Sequence, residues 1–442
     1  MRSGVPWLSL AVALLLAATA VVLSGCDLFP TEATAVPGAA TGTPAPPALT
    51  AAPTMEVTEP AGPGIVTLTM WTTERFSPTQ AITSGQIVAQ QVEEFEAAHQ
   101  DTRLAFVLKK PYGKGGVLDY LLTTGAVVPE LMPDLAILDV DELGTAVQSG
   151  LVQPLDGLIA PDLVGDLYPF ARAAATFDDQ LMGLQFETDM EHLVYNAGQL
   201  TVPPRSWPGV LSNPGTYVFA AGGQGGLVND SFLIQYLAVW SWPGTASPDG
   251  PFLDENSLTA VLQYYQDGVT RGVFPPDVLD YHSTEDCWQA YQAGEADLAQ
   301  VSAHRYLLER EALEGTVAAP IPAINGAASA IGDGWVLVLV ATEPSRQSLA
   351  AEFMARLMAP QINAAWSRAT GYLPTRQAAL ADVIEADSYY RFADEQLERA
   401  QPRPRLSNYA QLAAALQRAV EDVVSGAATP EEAAARVVEN NP

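Results

Sequence analysis

Apolar residues at every second position predict a β-strand over Ile65–Trp71, since such alternation with β-branched residues is typical of a strand with one buried face. An apolar stripe at helical spacing follows over residues 84–99. A second strand is predicted over Arg103–Lys110, a helix over 117–124, and a short, nearly all-apolar strand over Pro133–Asp139. This order of strands and helices predicts a doubly wound α/β lobe.

The pattern starts again after residue 183 and predicts a second α/β region. Its predicted elements are, in chain order, extended stretches at 183–196 and 216–226, helices at 258–270 and 284–293, strands at 297–303 and 335–341, and helices at 347–370, 409–426 and 430–438. Because a single core rarely serves more than about 250–300 residues, a chain of 442 residues is expected to form two lobes.

The start of the chain has the order of an export signal. Arg2 is positively charged, Leu8–Leu23 is apolar and uncharged, and two small residues precede Cys26. The apolar run of about 16 residues is slightly short for a membrane span. Residues 23–26 resemble the lipobox of bacterial lipoproteins, which implies a signal peptide over 1–25 and a lipid on Cys26. A stop-transfer helix is the alternative.

A tether is predicted after the cysteine. Residues 27–63 are rich in Pro, Thr and Ala and show no apolar period, so this stretch is expected to be disordered. At roughly 5–6 Å times the square root of the residue number, a flexible chain of this length reaches about 35 Å. The predicted organisation is therefore a signal, a lipidated cysteine with its linker over 26–63, and a folded body from residue 64.

The chain is strongly acidic, with 51 Asp and Glu against 21 Lys and Arg and a net charge of −30. This balance argues against nucleic-acid binding, which needs a basic face, and against broad adhesion to anionic membranes. We interpret the charge as a solubility feature. With Cys26 lipidated, Cys287 has no partner within the chain, so a disulfide framework is excluded and Cys287 is expected to be a small buried hydrophobe.

The common hydrolase, metalloprotease and phosphate-loop motifs do not occur, and the four histidines show no ligand spacing, so we expect them to be surface or structural residues. The stretch Asp139–Gly144 begins like a calcium loop, but Gly150 stands where the bidentate Glu is needed, which excludes an EF-hand. Asp139 and Asp141 instead follow a predicted parallel strand, at the edge where open α/β sheets bind ligands.

Three carboxylates alternate in the extended stretch at 183–196. Glu187, Asp189 and Glu191 are expected to share one face, which is either solvated or lines a cleft where it accepts hydrogen bonds from hydroxyls. A glycosidase pair of Glu187 and Asp189 is a weaker interpretation. Gly223, in the turn that ends the stretch at 216–226, is either a cleft residue or part of a plain tight turn.

The aromatic residues divide into core and cleft candidates. Trp366 and Trp240 are predicted to lie in the core. Trp71 and Trp335 stand at strand ends, where a cleft position and a core position are equally compatible with the pattern. An indole in a cleft would pack on the apolar face of a sugar.

The chain resembles the extracellular solute-binding proteins of bacterial ABC importers, of the sugar-binding kind that includes maltodextrin-binding proteins. The resemblance covers nearly all of residues 64–440 and is carried by the order of several segments: VTLTMWTTE, VEEFEAAHQDTRLAFV, MPDLAILDVDELGTAVQSGLVQPLD, GLQFETDMEHLVYNAGQL, TEDCWQAYQAGEADLAQVSA, SRATGYLPTR and SGAATPEEAAARV.

The resemblance implies a periplasmic-binding-protein-like fold of type II, with two doubly wound α/β lobes joined by a multi-strand hinge. The N-terminal lobe is expected over 64–187, with 320–370 returning to it, and the C-terminal lobe over 188–319, with 375–440 returning to it. Carried over by position, the implied ligand-binding residues are Trp71, Thr72, Glu74, Asp141, Asp189, Trp335, Tyr372 and Tyr409, beside Asp139, Glu187 and Gly223. Leu138 and Ala413 stand where maltodextrin binders have tryptophans.

The implied function is that of a tethered receptor that closes over a mono- or oligosaccharide and delivers it to a membrane permease. It needs no cofactor and no catalysis, acts as a monomer, and is anchored through the lipid on Cys26 to the outer face of the cytoplasmic membrane. A surface glycoside hydrolase, a sensor-associated binding protein and a binder of phosphate esters are the alternatives.

Overall fold

The computed structural model describes residues 64–240, 252–384, 387–406 and 408–441. The predicted signal peptide, Cys26 and the linker to residue 63 lie outside the described residues. Within the described ranges, no helix combines the length and the apolar character that crossing a membrane would require.

The strands of the described chain are β1 (Val66–Thr72), β2 (Thr102–Leu108), β3 (Leu135–Asp139), β4 (Thr176–Phe177), β5 (Gln180–Leu181), β6 (Leu184–Asp189), β7 (Glu191–Asn196), β8 (Tyr217–Val218), β9 (Leu298–Ser302), β10 (Thr316–Ala319), β11 (Pro322–Ala323), β12 (Gly326–Ala327), β13 (Asp333–Leu339) and β14 (Leu373–Pro374).

The α-helices are α1 (Thr83–Ala98), α2 (Val117–Val127), α3 (Val140–Gln148), α4 (Pro161–Gly165), α5 (Pro169–Ala175), α6 (Trp207–Leu211), α7 (Asp230–Val239), α8 (Glu255–Thr270), α9 (Thr284–Ala293), α10 (Ala303–Glu309), α11 (Pro344–Leu357), α12 (Pro360–Thr370), α13 (Gln377–Ile384), α14 (Ser388–Leu397), α15 (Tyr409–Val424) and α16 (Pro430–Asn440). Single 3-10 turns lie at Glu74–Phe76, Pro129–Leu131, Val278–Asp280 and Arg310–Ala312.

A six-stranded mixed sheet, in the order β14-β6-β13-β3-β1-β2, forms the centre of what we call the first lobe. Strand β1 runs parallel to β2 and β3, while β13 runs antiparallel to β3 and β6. Apolar residues of these strands and of helices α1, α3, α11 and α12 form one buried core. The carboxyl ends of β1 and β3 therefore meet at one edge of this sheet.

A four-stranded sheet, in the order β10-β7-β9-β8, forms the centre of the second lobe. Helices α7, α8, α15 and α16 contribute to its core, and α16 begins with a capping box between Thr429 and Glu432. Such a reciprocal cap satisfies two backbone N–H groups that the first helical turn leaves unpaired.

The chain crosses between the two sheets at a break in the extended stretch 183–196. Strand β6 ends at Asp189, Met190 intervenes, and β7 starts at Glu191 in the other sheet. The return crossing enters β13 through Gly334, whose φ of +134° places a hypothetical Cβ 2.2 Å from the carbonyl oxygen of Glu187. Only glycine fits here, because this backbone conformation and this approach leave no room for a side chain.

The predicted elements up to residue 139 are confirmed to within three residues at each end. The single helix predicted over 347–370 is wrong. It is two helices, α11 and α12, because Pro360 lacks an N–H and holds Ala359 in an extended conformation. Cys287 and Trp366 are buried as predicted, while α13 and α14 had no prediction.

Candidate functional site

The two crossing strands bring acidic and aromatic residues together at the edge where the lobes meet. In the antiparallel pair of β6 and β13, Asp333 lies opposite Asp189 and Trp335 lies opposite Glu187. On its other side, Trp335 lies opposite Asp139, the last residue of β3. The register therefore places four acids within two positions of Trp335 in the sheet.

Glu187 is the most deeply buried of these acids. Its Oε1 accepts a hydrogen bond from Arg75 Nη2 at 2.5 Å, and its Oε2 accepts one from Trp366 Nε1 at 2.6 Å. Burial raises the pKa of Glu187 to about 7, although Arg75 and the Trp366 hydrogen bond both act to lower it. Both oxygens are thus already engaged within the protein.

An aromatic wall surrounds Arg75. Its guanidinium lies 4.1 Å from the ring centroid of Tyr372 and 5.8 Å from that of Trp335. His304 stacks on Tyr372 with centroids 4.0 Å apart, and Tyr112 lies 5.6 Å from Trp335. Desolvation and the nearby Arg75 lower the pKa of His304 to about 4, so its ring is neutral at pH 7 and serves as a packing surface.

Asp189 lies at the N-terminal end of α10. Its Oδ1 accepts hydrogen bonds from the backbone N–H groups of Met190 at 2.9 Å and His304 at 3.0 Å. Burial still raises the pKa of Asp189 to about 6. Burial and the repulsion of Asp189 raise the pKa of Asp333 well above its usual range, and no hydrogen bond or ion pair to the Asp333 carboxylate exists within the described residues.

The first lobe contributes the N-terminal end of α3 to the site. Asp139 caps this helix by accepting from the backbone N–H of Asp141, and it accepts a second hydrogen bond from the hydroxyl of Tyr112 at 2.9 Å. Desolvation and the charges of Asp139 and Asp141 raise the pKa of Glu142 to about 7. Glu142 Oε2 is buried and has no partner among the described residues.

Arg403 connects the two lobes across this edge. It forms ion pairs with Asp141 of α3 and with Asp230, the first residue of α7. Desolvation between the lobes raises the pKa of Asp141 to about 6 despite Arg403, while 39% of its side-chain surface stays exposed. Tyr409 lies at the start of α15. Burial raises the pKa of its hydroxyl above the usual range, Arg403 acts to lower it, and the charges of Asp230 and Asp141 act to raise it.

Not every predicted residue reaches this site. Trp71 is only 6% exposed and packs edge-on against Tyr120, under Lys109 Nζ at 4.6 Å, while Thr72 is fully buried. Both residues are buried in the first lobe, as Trp335 is with 7% of its surface exposed, and a ligand contact of Trp71 or Thr72 stays a prediction. Glu74 is exposed on the 3-10 turn next to Arg75.

Gly223 lies in a tight turn inside the second lobe. Its φ is +61°, and a Cβ would meet the Gln417 side chain and the Leu227 carbonyl at 2.4 Å each. The glycine is needed for packing against α15, which supports the tight-turn alternative, and a contact with ligand stays a prediction. Glu187, Asp189 and Glu191 likewise do not act together, since each binds partners of its own.

Sequence patterns missed several residues of the site: Arg75, Tyr112, Asp230, His304, Asp333 and Arg403. One signal could have found one of them, since Asp333 lies between two glycines directly before Trp335. The remaining contacts depend on the crossing of the chain between the sheets.

The arrangement suits a neutral, hydroxyl-bearing ligand. Arg75 Nε and Glu142 Oε2 are buried polar atoms without partners in the described chain, and such atoms are costly unless something hydrogen-bonds to them. Within the same residues, no group of three His, Cys, Asp or Glu side chains could hold a metal ion. A surface pocket at the opposite end of the first sheet contains Asp134 and Arg346, whose charges neutralise each other.

The chain is similar to known solute-binding proteins. A model of a family described as bacterial extracellular solute-binding protein matches residues 90–390. A maltotriose-binding protein of Pyrococcus abyssi is 31% identical over 75 residues, a match that spans 17% of this chain and 17% of that relative.

Two solved structures resemble the whole folded body. The cyclic α-maltosyl-1,6-maltose-binding protein from Arthrobacter globiformis has 19% identity, covers 85% of this chain and 97% of its own, and gives a TM-score of 0.67. The maltose-binding periplasmic protein MalE from Listeria monocytogenes, in complex with maltose, has 18% identity, covers 84% and 96%, and also gives 0.67. These similarities confirm the two-lobed α/β fold.

Proposed function

This chain belongs to the bacterial extracellular solute-binding protein family, and we propose that it captures a mono- or oligosaccharide between its lobes for an ABC importer. The observation that carries the proposal is the edge where β6 and β13 meet. There Asp189 lies opposite Asp333, two residues before Trp335, and the guanidinium of Arg75 lies over the rings of Trp335 and Tyr372. Sugars offer apolar ring faces to aromatic side chains and hydroxyl donors to carboxylates.

Capture occurs by hinge closure. The lobes are connected through the β6–β7 crossing and the return into β13, so bending at Met190 and Gly334 moves one sheet relative to the other. We place the first lobe at 64–187 and 320–370, and the second at 188–319 and 375–440. A solute that contacts both lobes stabilises the closed form because it binds that form better.

The solute is expected to be an oligosaccharide. The ligands of the two solved neighbours, maltose and cyclic α-maltosyl-1,6-maltose, support this class. Leu138 and Ala413 lack the rings that maltodextrin binders place at these positions, so the aromatic contacts here come from Trp335, Tyr372 and Tyr409. This different set of aromatic residues suits a sugar whose shape differs from that of a linear maltodextrin.

The protein works at the outer face of the cytoplasmic membrane, held by a lipid on Cys26 and the linker that follows it. Its partners are the solute and the permease subunits, and it acts as a monomer without cofactor. Catalysis is not part of its function: Glu187, one half of the conceivable glycosidase pair, has both carboxylate oxygens engaged by Arg75 and Trp366.

Titration calorimetry against a panel of mono- and oligosaccharides, with amino acids and sugar phosphates as separate arms, tests the proposal. We expect one sugar class to bind, with compaction on binding in small-angle scattering. Asp333→Asn should weaken binding by up to about tenfold, the loss typical of one hydrogen bond, whereas Asp422→Asn, in the distant α15, should not. Binding only in the amino-acid or phosphate arm, or turnover of a chromogenic glycoside, would contradict it.

A further inference from the structure

The segment Gln401–Leu406, between α14 and α15, runs beside the hinge. Gln401 accepts a hydrogen bond from Gly332 N at 3.0 Å and donates one to Ala330 O at 2.9 Å, so the segment follows the chain that enters β13. Two arginines of this segment, Arg403 and Arg405, extend away from it toward the lobes.

Arg403 contacts both lobes with one guanidinium. It binds Asp230 of the second lobe with two parallel hydrogen bonds, Nε to Oδ1 at 3.0 Å and Nη2 to Oδ2 at 2.7 Å. Its third nitrogen, Nη1, donates to Asp141 Oδ2 of the first lobe. A planar guanidinium presents donors on three sides, which a lysine ammonium cannot reproduce in this fork geometry.

Arg405 fixes the same segment to the first lobe. Its Nη1 donates to the carbonyl of Thr176 at 3.0 Å and its Nη2 to that of Ala173, and the guanidinium lies 3.9 Å from the ring centroid of Phe177. The segment is therefore attached to the first lobe through Arg405, while Arg403 bridges from it to the second lobe.

We propose that Arg403 is an internal latch that favours the closed arrangement of the lobes before any solute is bound. Without it, the carboxylates of Asp141 and Asp230 face each other across the cleft unneutralised, and like charges in a partly desolvated site repel. The latch holds the lobes by bonds to both and by cancelling this repulsion. Arg403 is a positioning residue for closure, beyond the sugar contacts proposed above.

The latch also sets the apparent affinity for solute. A ligand that binds only the closed form binds more weakly in proportion to the fraction of closed protein, so loss of the latch reduces affinity without touching the sugar. Only this effect on the apparent affinity rests on the proposed function. Closure itself is measured without solute, so a failure to find a sugar leaves the test of the latch intact.

The test measures the closed-to-open ratio of the solute-free protein by single-molecule fluorescence transfer between dyes on the two lobes. Arg403→Gln should lower this ratio by about tenfold, the loss expected for charge-assisted hydrogen bonds. Arg403→Lys should restore only part of it. Arg436→Gln is the matched control, because its partner Asp422 lies on the same lobe. High salt should open the wild type more than it opens Arg403→Gln.

Two further variants distinguish a role of Arg403 in closing the lobes from a role in stabilising the fold alone. Asp141→Asn keeps the Arg403–Asp230 pair and the Arg405 contacts, yet it should also open the lobes. In Arg403→Ala, added guanidinium should restore closure whereas urea should not. Unchanged closure in Asp141→Asn, together with either unchanged closure or simple loss of stability in Arg403→Gln, would overturn the proposal.

Discussion

The guanidinium of Arg75 lies 4.1 Å from the ring centroid of Tyr372, on the residue pair that joins the loop after β1 to the loop after α12. The same guanidinium donates to the buried Glu187 on β6. One arginine thus organises an acid, an aromatic face and the first lobe at the hinge. Substitution of Arg75 should therefore lower the free energy of unfolding, and substitution of its aromatic partner Tyr372 should lower the affinity for sugar.

Arg75→Met should destabilise the protein by about 2–4 kcal/mol at pH 8, because Glu187 is ionised in the wild type at this pH and the variant loses its buried ion pair. The pKa of Glu187 is about 7, so at pH 5 this carboxyl is protonated and the loss should be smaller. Urea unfolding at both pH values measures this difference. Arg436→Met, which breaks an exposed pair, should cost about 0–1 kcal/mol at either pH. Equal losses at pH 5 and pH 8 for Arg75→Met would contradict the assigned role of Glu187.

Tyr372→Ala should weaken sugar binding by about tenfold, because the ring packs between Arg75 and His304 and its loss lets both side chains move at the site. Tyr372→Phe keeps the ring and should stay within about threefold of the wild type, as one neutral hydroxyl contributes roughly 0.5–1.5 kcal/mol or less. Calorimetry with the best sugar of the panel measures both. If Tyr372→Phe lost as much affinity as Tyr372→Ala, the hydroxyl and not the ring would be the contact.

The local spacing of apolar residues predicts much of the fold, because a strand or a helix can be recognised from a few consecutive residues. Strand β3 was predicted from an apolar run, and Asp139 and Asp141 were found because they follow it. Arg403 could not be found in this way, since its partners Asp230 and Asp141 lie 173 and 262 residues away along the chain.

Trp71 and Trp335 show the same limit for aromatic residues. Both stand at strand ends, and nothing local distinguishes them. Tyr120 and Lys109 pack on Trp71, whereas Arg75 and Tyr112 pack on Trp335. Which neighbours surround a ring is decided by the crossing of the chain between two sheets, and that crossing is a property of the whole topology.

Cys26→Ser should release the protein from the membrane into the medium or periplasm without changing its affinity for sugar. The prediction follows from the lipobox-like stretch at residues 23–26 and the linker after it, which together make lipid attachment independent of the folded lobes. Cell fractionation with calorimetry on the released protein measures both properties. A Ser24→Ala variant, which keeps the cysteine, serves as the anchored control. A change in affinity on release would show that the tether is more than a passive link.

The free energy of unfolding should decrease as the pH rises from about 5 to about 8. Substitution of Glu191, a buried carboxyl, tests this prediction. Burial and the charge of Asp230 raise its pKa to about 8, although Ser231 and Gln300 donate hydrogen bonds to it. Between the unfolded pKa of about 4.3 and this value, the folded state binds a proton that the unfolded state releases. Glu191 therefore favours folding at low pH, and this contribution is lost as the pH passes through about 8.

Glu191→Gln removes that titration, because an amide has no proton to lose in this range. Its stability should match the wild type within about 1 kcal/mol at pH 5 and exceed it at pH 8, flattening a slope of at most about 1.4 kcal/mol per pH unit per group. Urea unfolding across this range measures the slope. Glu130→Gln, at an exposed position, should leave it unchanged. Because Asp141, Glu142, Glu187 and Asp189 also have raised pKa values, some slope should remain in Glu191→Gln. A variant with the full wild-type slope would show that Glu191 is already ionised in the folded protein.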